Sequence, residues 1–131
     1  MTALHCAQDE KGTTLIEAAA ILPILFWLTF GIIDFGRYLY VASAVHAAAQ
    51  EGARAGLGQD GIVDLAGAAR AAKANLAMLD TTTVTIKTEQ PTLEIVEVQV
   101  IYHFEFITPL LAALYPGNQL EIDGIASMII F

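Results

Sequence analysis

Hydrophobic and polar positions divide the chain into three parts with different periodicities. An uninterrupted apolar stretch runs from Ala18 to Ile33, between two carboxylates, Glu17 and Asp34. Apolar residues recur at helical spacing over residues 62–79, and from residue 84 onwards they alternate with polar residues. The pattern therefore predicts an α+β protein with a long N-terminal helix, a second shorter helix and a three-stranded antiparallel sheet.

The apolar stretch has the length of a membrane span. Residues 13–33 would form a helix about 32 Å long, which matches the hydrocarbon core of a bilayer. The alternative is a helix buried in a protein core, but a domain this small could hardly cover a helix that is apolar on every side. We therefore predict a transmembrane segment over residues 13–33, with a kink at Pro23, whose ring removes a backbone hydrogen bond.

The first helix is predicted to continue beyond the membrane to residue 57, as a rod about 67 Å long, part of which must contact lipid or other subunits. Four residues just after the apolar stretch are predicted to lie at the membrane interface, where tyrosines suit the headgroup region. These are Asp34, Arg37, Tyr38 and Tyr40. Small residues dominate the stretch from Ala42 to Ala55, and they have two interpretations: close approach of another helix, or high helix propensity alone.

Residues 58–131 are predicted to form the α+β domain. Its helix is predicted to begin at Asp60 or Gly61 and to be followed, after Asp80, by the first strand. A break at residues 89–92 would separate this strand from a long second strand with one buried face, and a bulge is predicted near Ile95–Val96.

The end of the chain combines a short helix with a last strand. Thr108 and Pro109 are predicted to open the short helix as its N-cap and first helical residue. The last strand has apolar residues on both faces, with Leu120 and Ile122 on one face and Ile125 on the other. Such a strand is predicted either to be central in its sheet or to be covered by a partner.

Composition and motifs argue against several classes of function. The net charge is −8 and the basic residues form no stripe, so nucleic-acid binding is not expected. One cysteine, Cys6, excludes an internal disulfide. The carboxylates Glu97 and Glu105 would share a strand face but lie about 26 Å apart, too far for joint catalysis. With no catalytic or metal-binding motif present, we predict no enzyme activity, cofactor or metal site.

Glu17 is the unusual residue of the first helix. Placing a carboxylate at the edge of a membrane span costs free energy, so such a residue is a functional candidate by default. The alternative is a residue of the first helical turn at the lipid interface, where a negative charge favours the positive end of the helix dipole.

The spacing of Gly12 and Glu17 carries a family resemblance. A leader ending in Gly12, then TTLIE, then an apolar helix resembles the class III signal of type IV pilins and pseudopilins. The strings ILPILFWLTFGIIDFGRYLY and AAAQEGARAG resemble the TadE-like branch of pseudopilins from tight-adherence pilus systems. The resemblance extends from Gly12 to about Leu57, and beyond that point only the strand pattern agrees.

The resemblance implies a set of roles and partners. Residues 1–12 would be a prepilin leader, cut by a prepilin peptidase between Gly12 and Thr13. Glu17 would then meet the new amino terminus of a neighbouring subunit. The other partners would be minor pilins, the major pilin, the inner-membrane pilus platform and membrane lipid. The protein would cross the bacterial inner membrane once, with its C-terminal domain outside the cytoplasm, and it could enter a surface pilus.

A minor pseudopilin fits the resemblance better than a main filament subunit. Many major tight-adherence pilins carry tyrosine after the glutamate, where this chain has Ala18, and the chain is longer than those very short pilins. The alternative function is an uncleaved single-pass membrane protein that acts as a scaffold or binding module of an envelope complex. A membrane-tethered enzyme is the remaining alternative and ranks last, because no convergent polar groups are predicted.

Overall fold

The computed structural model describes residues 6–58, 62–92, 95–114, 117 and 119–129. Its elements confirm the predicted α+β class, with a long N-terminal helix, a second short helix and a three-stranded antiparallel sheet. In chain order they are α1 (Cys6–Ala55), α2 (Leu65–Asn75), a 3₁₀ turn (Thr81–Thr83), β1 (Val84–Thr92), β2 (Ile95–Glu105), α3 (Pro109–Leu114) and β3 (Gln119–Ile129).

The two halves of α1 have different surroundings. The side chains from Gly12 to Phe30 are all exposed, whereas Val41, Val45 and Ala49 are buried. The helix is 50 residues long, or about 75 Å at 1.5 Å per residue, so the rest of the chain can cover only its C-terminal half. The exposed half agrees with the expectation that part of this helix contacts lipid or other subunits rather than its own chain.

The core lies between the C-terminal half of α1, α2 and one face of the sheet. Alternate residues of β2 point into it, as the period of two predicts. The fully buried core side chains include Val45, Val96, Val98, Val100, Leu76 and Phe104. Because α1 supplies part of this core, the core contains residues from before and after residue 58. The domain boundaries proposed above stay predictions.

The small residues of α1 allow close approach within the chain. Ala48, Ala49 and Ala53 are fully buried in the core. A Cβ on Gly52 would lie 3.0 Å from the Cβ of Ala72 on α2 and 3.1 Å from the carbonyl oxygen of Ala68. Of the two interpretations of this stretch, close helix packing therefore applies to these buried positions, and the helix that approaches is α2 of the same chain.

The prediction for the start of α2 was wrong. The helix begins at Leu65, after Asp64, whose carboxylate accepts a hydrogen bond from the backbone N–H of Gly67 at 2.8 Å. An N-cap carboxylate satisfies an otherwise unpaired donor of the first turn, and this effect selects Asp64 over the earlier candidates. Asp60 and Gly61 themselves lie outside the described residues.

The predicted break in the first strand was also misplaced, because β1 continues through Pro91 to Thr92. The predicted bulge near Ile95–Val96 is confirmed in position, since the register shifts between the pairs Glu89–Glu97 and Thr92–Ile95, and β1 carries the extra residue. β1 is an edge strand, because the strand order is β1-β2-β3. Proline cannot donate to a ladder, so an irregular position on an edge strand is where a sheet tolerates it.

β3 is the other edge strand, so the first of the two alternatives for it, a central position, is wrong. It pairs with β2 along its whole length, from Gln119 opposite Glu105 to Ile129 opposite Ile95. Its outward-facing Ile125 and Ile129 are 55% and 54% exposed. Whether a partner covers this face stays a prediction. The last two residues, Ile130 and Phe131, lie outside the described part of the chain.

Gly124 provides a test of how closely α1 packs on the sheet. A Cβ at this position would lie 2.9 Å from Val45 Cγ1 and 3.0 Å from the Val45 carbonyl oxygen. Since a helix backbone cannot yield locally, we expect Gly124→Ala to lower the free energy of unfolding by about 1–3 kcal/mol. Chemical unfolding of the detergent-solubilised chain, followed by near-UV circular dichroism, measures the change.

The matched control is Gly36→Ala on an exposed face of α1, where an added Cβ would meet nothing within 4 Å. This change should raise stability by up to about 1 kcal/mol, since alanine is the better helix former. Equal stability of the two variants would contradict the close approach of α1 to β3.

Candidate functional site

The N-terminal half of α1 is the most exposed apolar surface of the described chain. Its large apolar side chains from Leu15 to Phe30 are between 48% and 74% exposed. By length and composition, the helix segment Gly12–Ala55 is able to cross a membrane, and it is the one such helix in the described part of the protein. One long apolar N-terminal helix indicates single-pass membrane anchoring.

Gly12 and Thr13 are adjacent near the start of this helix, and Glu17 lies about one turn further on. Gly12 has no packing role, because an added Cβ would meet nothing within 4 Å. Glu17 is exposed, and within the described residues no ion pair or hydrogen bond engages its carboxylate. Glycine and carboxylate are therefore both presented to the surroundings rather than used in folding. The roles of Gly12, Thr13 and Glu17 stay predictions.

Pro23 lies inside α1, which remains helical on both sides of it. Its ring nitrogen has no hydrogen to donate to the carbonyl of Ala19, so the ladder lacks one bond there. The kink at this position stays a prediction.

Asp34 is the best-connected polar side chain of the helix. It is 1% exposed, although it stands directly after the apolar stretch. Its carboxylate accepts hydrogen bonds from the backbone N–H of Thr108 at 2.8 Å, from the backbone N–H of Ile107 at 3.3 Å, and from the Thr108 hydroxyl. We refer to Asp34, Ile107 and Thr108 as the Asp34 junction, because it joins α1 to the segment between β2 and β3.

Arg37 extends the Asp34 junction towards the sheet. Its guanidinium lies 3.5 Å from the Asp34 carboxylate and donates to the carbonyl oxygen of Glu105 at 3.4 Å. The same group lies 5.0 Å from the ring centroid of Phe104, within the range of a cation–π contact. The buried carboxylate therefore has a nearby positive charge as well as three hydrogen-bond donors.

The two tyrosines of the predicted interface differ in their surroundings. Tyr38 is half-buried and packs edge-on against Phe104, with the ring centroids 6.1 Å apart. Tyr40 is exposed, and its hydroxyl lies 3.9 Å from the sulfur of Met78. Tyr38 therefore has a packing role in the domain, and the headgroup position of both residues stays a prediction.

No cluster of metal-ligating side chains occurs among the described residues. His103, the histidine on β2, lies with its Nδ1 3.3 Å from the carbonyl oxygen of Thr83. The described part of the chain thus presents an apolar helix, an exposed carboxylate and a buried carboxylate, rather than convergent catalytic groups.

Sequence reasoning placed Asp34 at the membrane interface but missed its bond to Thr108. The two residues are separated by 74 positions, and neither has a neighbour in sequence that requires this pairing.

These features define a membrane-anchored α+β protein whose anchor helix also forms part of the domain core. The model of the TadE-like protein family matches residues 12–54. This segment is similar to TadE-like proteins, which confirms the resemblance read from residues 12–57. The match ends within α1, so it does not include α2 or the sheet. No curated protein and no solved structure matches the chain.

The Asp34 junction makes a quantitative prediction. Asp34→Ala should lower the free energy of unfolding by about 3 kcal/mol, since it leaves two backbone donors and a hydroxyl without their acceptor. Asp34→Asn keeps one acceptor oxygen and should cost about 1–2 kcal/mol. Chemical unfolding of the full chain in detergent measures both values.

The control is Asp123→Ala, which removes an exposed carboxylate of β3 and should change stability by less than about 0.5 kcal/mol. If Asp34→Ala and Asp123→Ala unfold at the same denaturant concentration, the junction does not hold α1 to the domain.

Proposed function

We propose that this chain is a minor pseudopilin that is processed by a prepilin peptidase and takes part in assembling a tight-adherence type IV pilus. The observation that carries the proposal is the contrast within α1. Its C-terminal half is built into the domain, whereas its N-terminal half presents an apolar surface and the carboxylate of Glu17 to the outside. A family match that begins at residue 12 supports the same conclusion.

Processing would remove residues 1–12 and make Thr13 the amino terminus. Gly12 lies within α1 in the uncut chain, since the helix begins at Cys6. A peptidase needs an extended strand of substrate, so the helix must open locally at the cut. Glycine makes this opening easier, because it is about 1 kcal/mol less favourable in a helix than alanine. A residue without packing contacts is free to serve this purpose.

Assembly would then bring the Thr13 amine of one subunit to Glu17 of another. A carboxylate and an amine each cost several kcal/mol when buried alone in an apolar surrounding, and pairing removes much of that cost. The amine of the same chain lies one turn before Glu17 on the same helix face, so pairing within one chain would add no contact between subunits, whereas pairing with a neighbour's amine would. The pair would therefore fix the axial register between neighbouring helices.

The cellular setting follows from this assembly. The chain would begin as a single-pass protein of the bacterial inner membrane, with the α+β domain outside the cytoplasm. Its partners would be the peptidase, other minor pilins, the major pilin and the inner-membrane pilus platform. Membrane lipid would cover the exposed half of α1 until these partners replace it.

Replacement of Gly12 tests the processing step. Gly12→Leu adds a bulky side chain at a position where nothing lies within 4 Å, so the fold should be unchanged while cleavage is lost. Intact-mass spectrometry of the chain purified from cells with an active prepilin peptidase should show Thr13 as the first residue of the native chain. The variant should retain residues 1–12.

Gly36→Leu is the matched control, since it adds the same side chain to another open helical position and should still be cut. If the native chain itself keeps residues 1–12 in those cells, the processing proposal is wrong and an uncleaved scaffold is the better description.

Replacement of Glu17 tests the assembly step. Glu17→Ala should leave membrane insertion and folding intact but reduce the amount of this subunit in sheared pili by more than about a hundredfold, because the partner amine loses its counter-charge. Quantitative immunoblotting of sheared fibres and of membranes gives the ratio. Glu51→Ala, which removes an exposed carboxylate further along α1, should incorporate normally. Normal incorporation of Glu17→Ala would refute the pairing role.

A further inference from the structure

The segment between β2 and β3 runs back along α1 towards the apolar half of the helix. Three successive contacts trace its path. The carbonyl of Glu105 meets Arg37 at 3.4 Å, the N–H groups of Ile107 and Thr108 meet Asp34, and the Thr108 hydroxyl lies 3.5 Å from the carbonyl oxygen of Phe30. Each step moves one helical turn closer to the N-terminus of α1. We call residues 106–118 the β2–β3 connection.

α3, within this connection, lies beside the predicted membrane span. An apolar groove of about 640 Å³ separates α3 from α1. It is lined by Thr108, Pro109 and Ala113 on one side and by Pro23, Phe26, Trp27 and Phe30 on the other. Along the helix axis, Phe30 lies about 6 Å from Asp34 and Pro23 about 16 Å from it. The groove therefore extends well into the part of α1 that is assigned to the membrane.

The composition of the connection matches that position. No charged residue occurs between Glu105 and Glu121. Ile107 is 65% exposed, and Pro109 and Ala113 are exposed as well. A second open groove of about 570 Å³, lined by Gly31, Phe35 and Leu111 among others, lies on another side of the connection. An apolar segment with open apolar grooves would be poorly placed in water.

The backbone N–H groups at the start of the β2–β3 connection already have hydrogen-bond acceptors within the protein. A chain segment immersed in lipid requires this, because lipid offers no hydrogen-bond partners. The N–H groups of Ile107 and Thr108 both donate to Asp34, and Pro109 has no N–H to satisfy. The N–H of Ala112 then donates to the carbonyl oxygen of Thr108 at 3.0 Å, which closes the first turn of α3. The charge of Asp34 is itself covered, so none of these groups has to remain in water.

The charged and polar side chains near the Asp34 junction lie on its domain side. Arg37 contacts the Glu105 carbonyl, and the Glu105 carboxylate accepts a hydrogen bond from the Gln119 side chain at 2.9 Å. Both ends of the connection thus meet at one polar level, and Thr108, Pro109 and Ala113 line the groove beside α1 on the other side of it. This arrangement matches a segment that enters a bilayer from the aqueous side and returns.

We propose that residues 107–114 are immersed in the leaflet next to the domain, beside α1, and that phospholipid acyl chains fill the grooves between α3 and the helix. The protein would then contact the bilayer through two elements, a spanning helix and a short apolar segment. The groove reaches from about 6 to about 16 Å beyond Asp34, which is within one leaflet but deeper than the roughly 5–10 Å of purely interfacial helices. This inference rests on the membrane span of the proposed function, but not on leader processing or pilus assembly.

The test uses the full chain with Cys6→Ser, reconstituted at low protein density in phosphatidylcholine vesicles. An environment-sensitive fluorophore is attached to Ala113→Cys or, in a second variant, to Ile107→Cys, both at exposed positions. The control label is at Ser127→Cys on the exposed face of β3. Lipids with a nitroxide on the acyl chain report contact with lipid, and dithionite added to the buffer reports contact with water.

Trp27, the one tryptophan of the chain, reports the position of α1 in the same vesicles through its own fluorescence. We expect acyl-chain nitroxides to quench Trp27 and the labels at residues 107 and 113, while dithionite bleaches the label at residue 127 much faster than these two. Bleaching of all three labels at one rate, with Trp27 quenched, would overturn the immersion of α3 but leave the span intact.

Two other results would also overturn the inference. Labels at residues 107 and 113 that are shielded from both quenchers would mean that protein, rather than lipid, covers the connection. If Trp27 is not quenched, α1 does not span the bilayer, and the proposed function fails together with this inference.

Discussion

The fold depends on one interaction, the hydrogen bonds from the N–H groups of Ile107 and Thr108 to the carboxylate of Asp34. A helix of 50 residues needs a fixed point where its covered half ends and its exposed half begins. Asp34 provides it, because a buried carboxylate tolerates few positions and must keep its donors. Hydrophobic packing of Val41 and Val45 against the sheet is less specific, since apolar side chains accept small shifts in register that a hydrogen-bonded carboxylate does not.

Two carboxylates of α1, Asp34 and Glu17, have opposite surroundings. This contrast explains why one helix can serve two purposes. Asp34 has its hydrogen-bond partners within the chain, so its role is in stabilising the fold. Glu17 has none among the described residues, so its cost in an apolar surrounding is left for another molecule to remove. If both were satisfied internally, residues 12–33 would have no charged side chain left with which to set the register of α1 against a neighbour.

Much of this architecture could be predicted from sequence because it depends on periodicity. The apolar stretch from Ala18 to Ile33 and the alternation along β2 report burial directly. The start of α2 was misplaced because Asp60 and Asp64 are both plausible caps. The place of the bulge could be predicted from the change of phase along β2, but not which strand carries the extra residue, since a bulge can lie on either strand of a pair. The pairing of Asp34 with Thr108 could not be predicted, since a hydrogen bond across 74 positions leaves no local pattern.

The Asp34 junction also bears on how a membrane protein can become part of a filament. Leaving the bilayer exchanges lipid contacts for protein contacts, and this exchange is easy only for surfaces that require no water in either state. The exposed half of α1 meets this condition, because its backbone is helical throughout. The β2–β3 connection meets it at its entrance, because Asp34 satisfies the N–H groups of Ile107 and Thr108. Apart from the Ala19 carbonyl, which lacks a donor at Pro23, these backbone groups can pass from lipid to protein while keeping their hydrogen bonds. Under the proposed function, the carboxylate of Glu17 would gain its partner in this exchange.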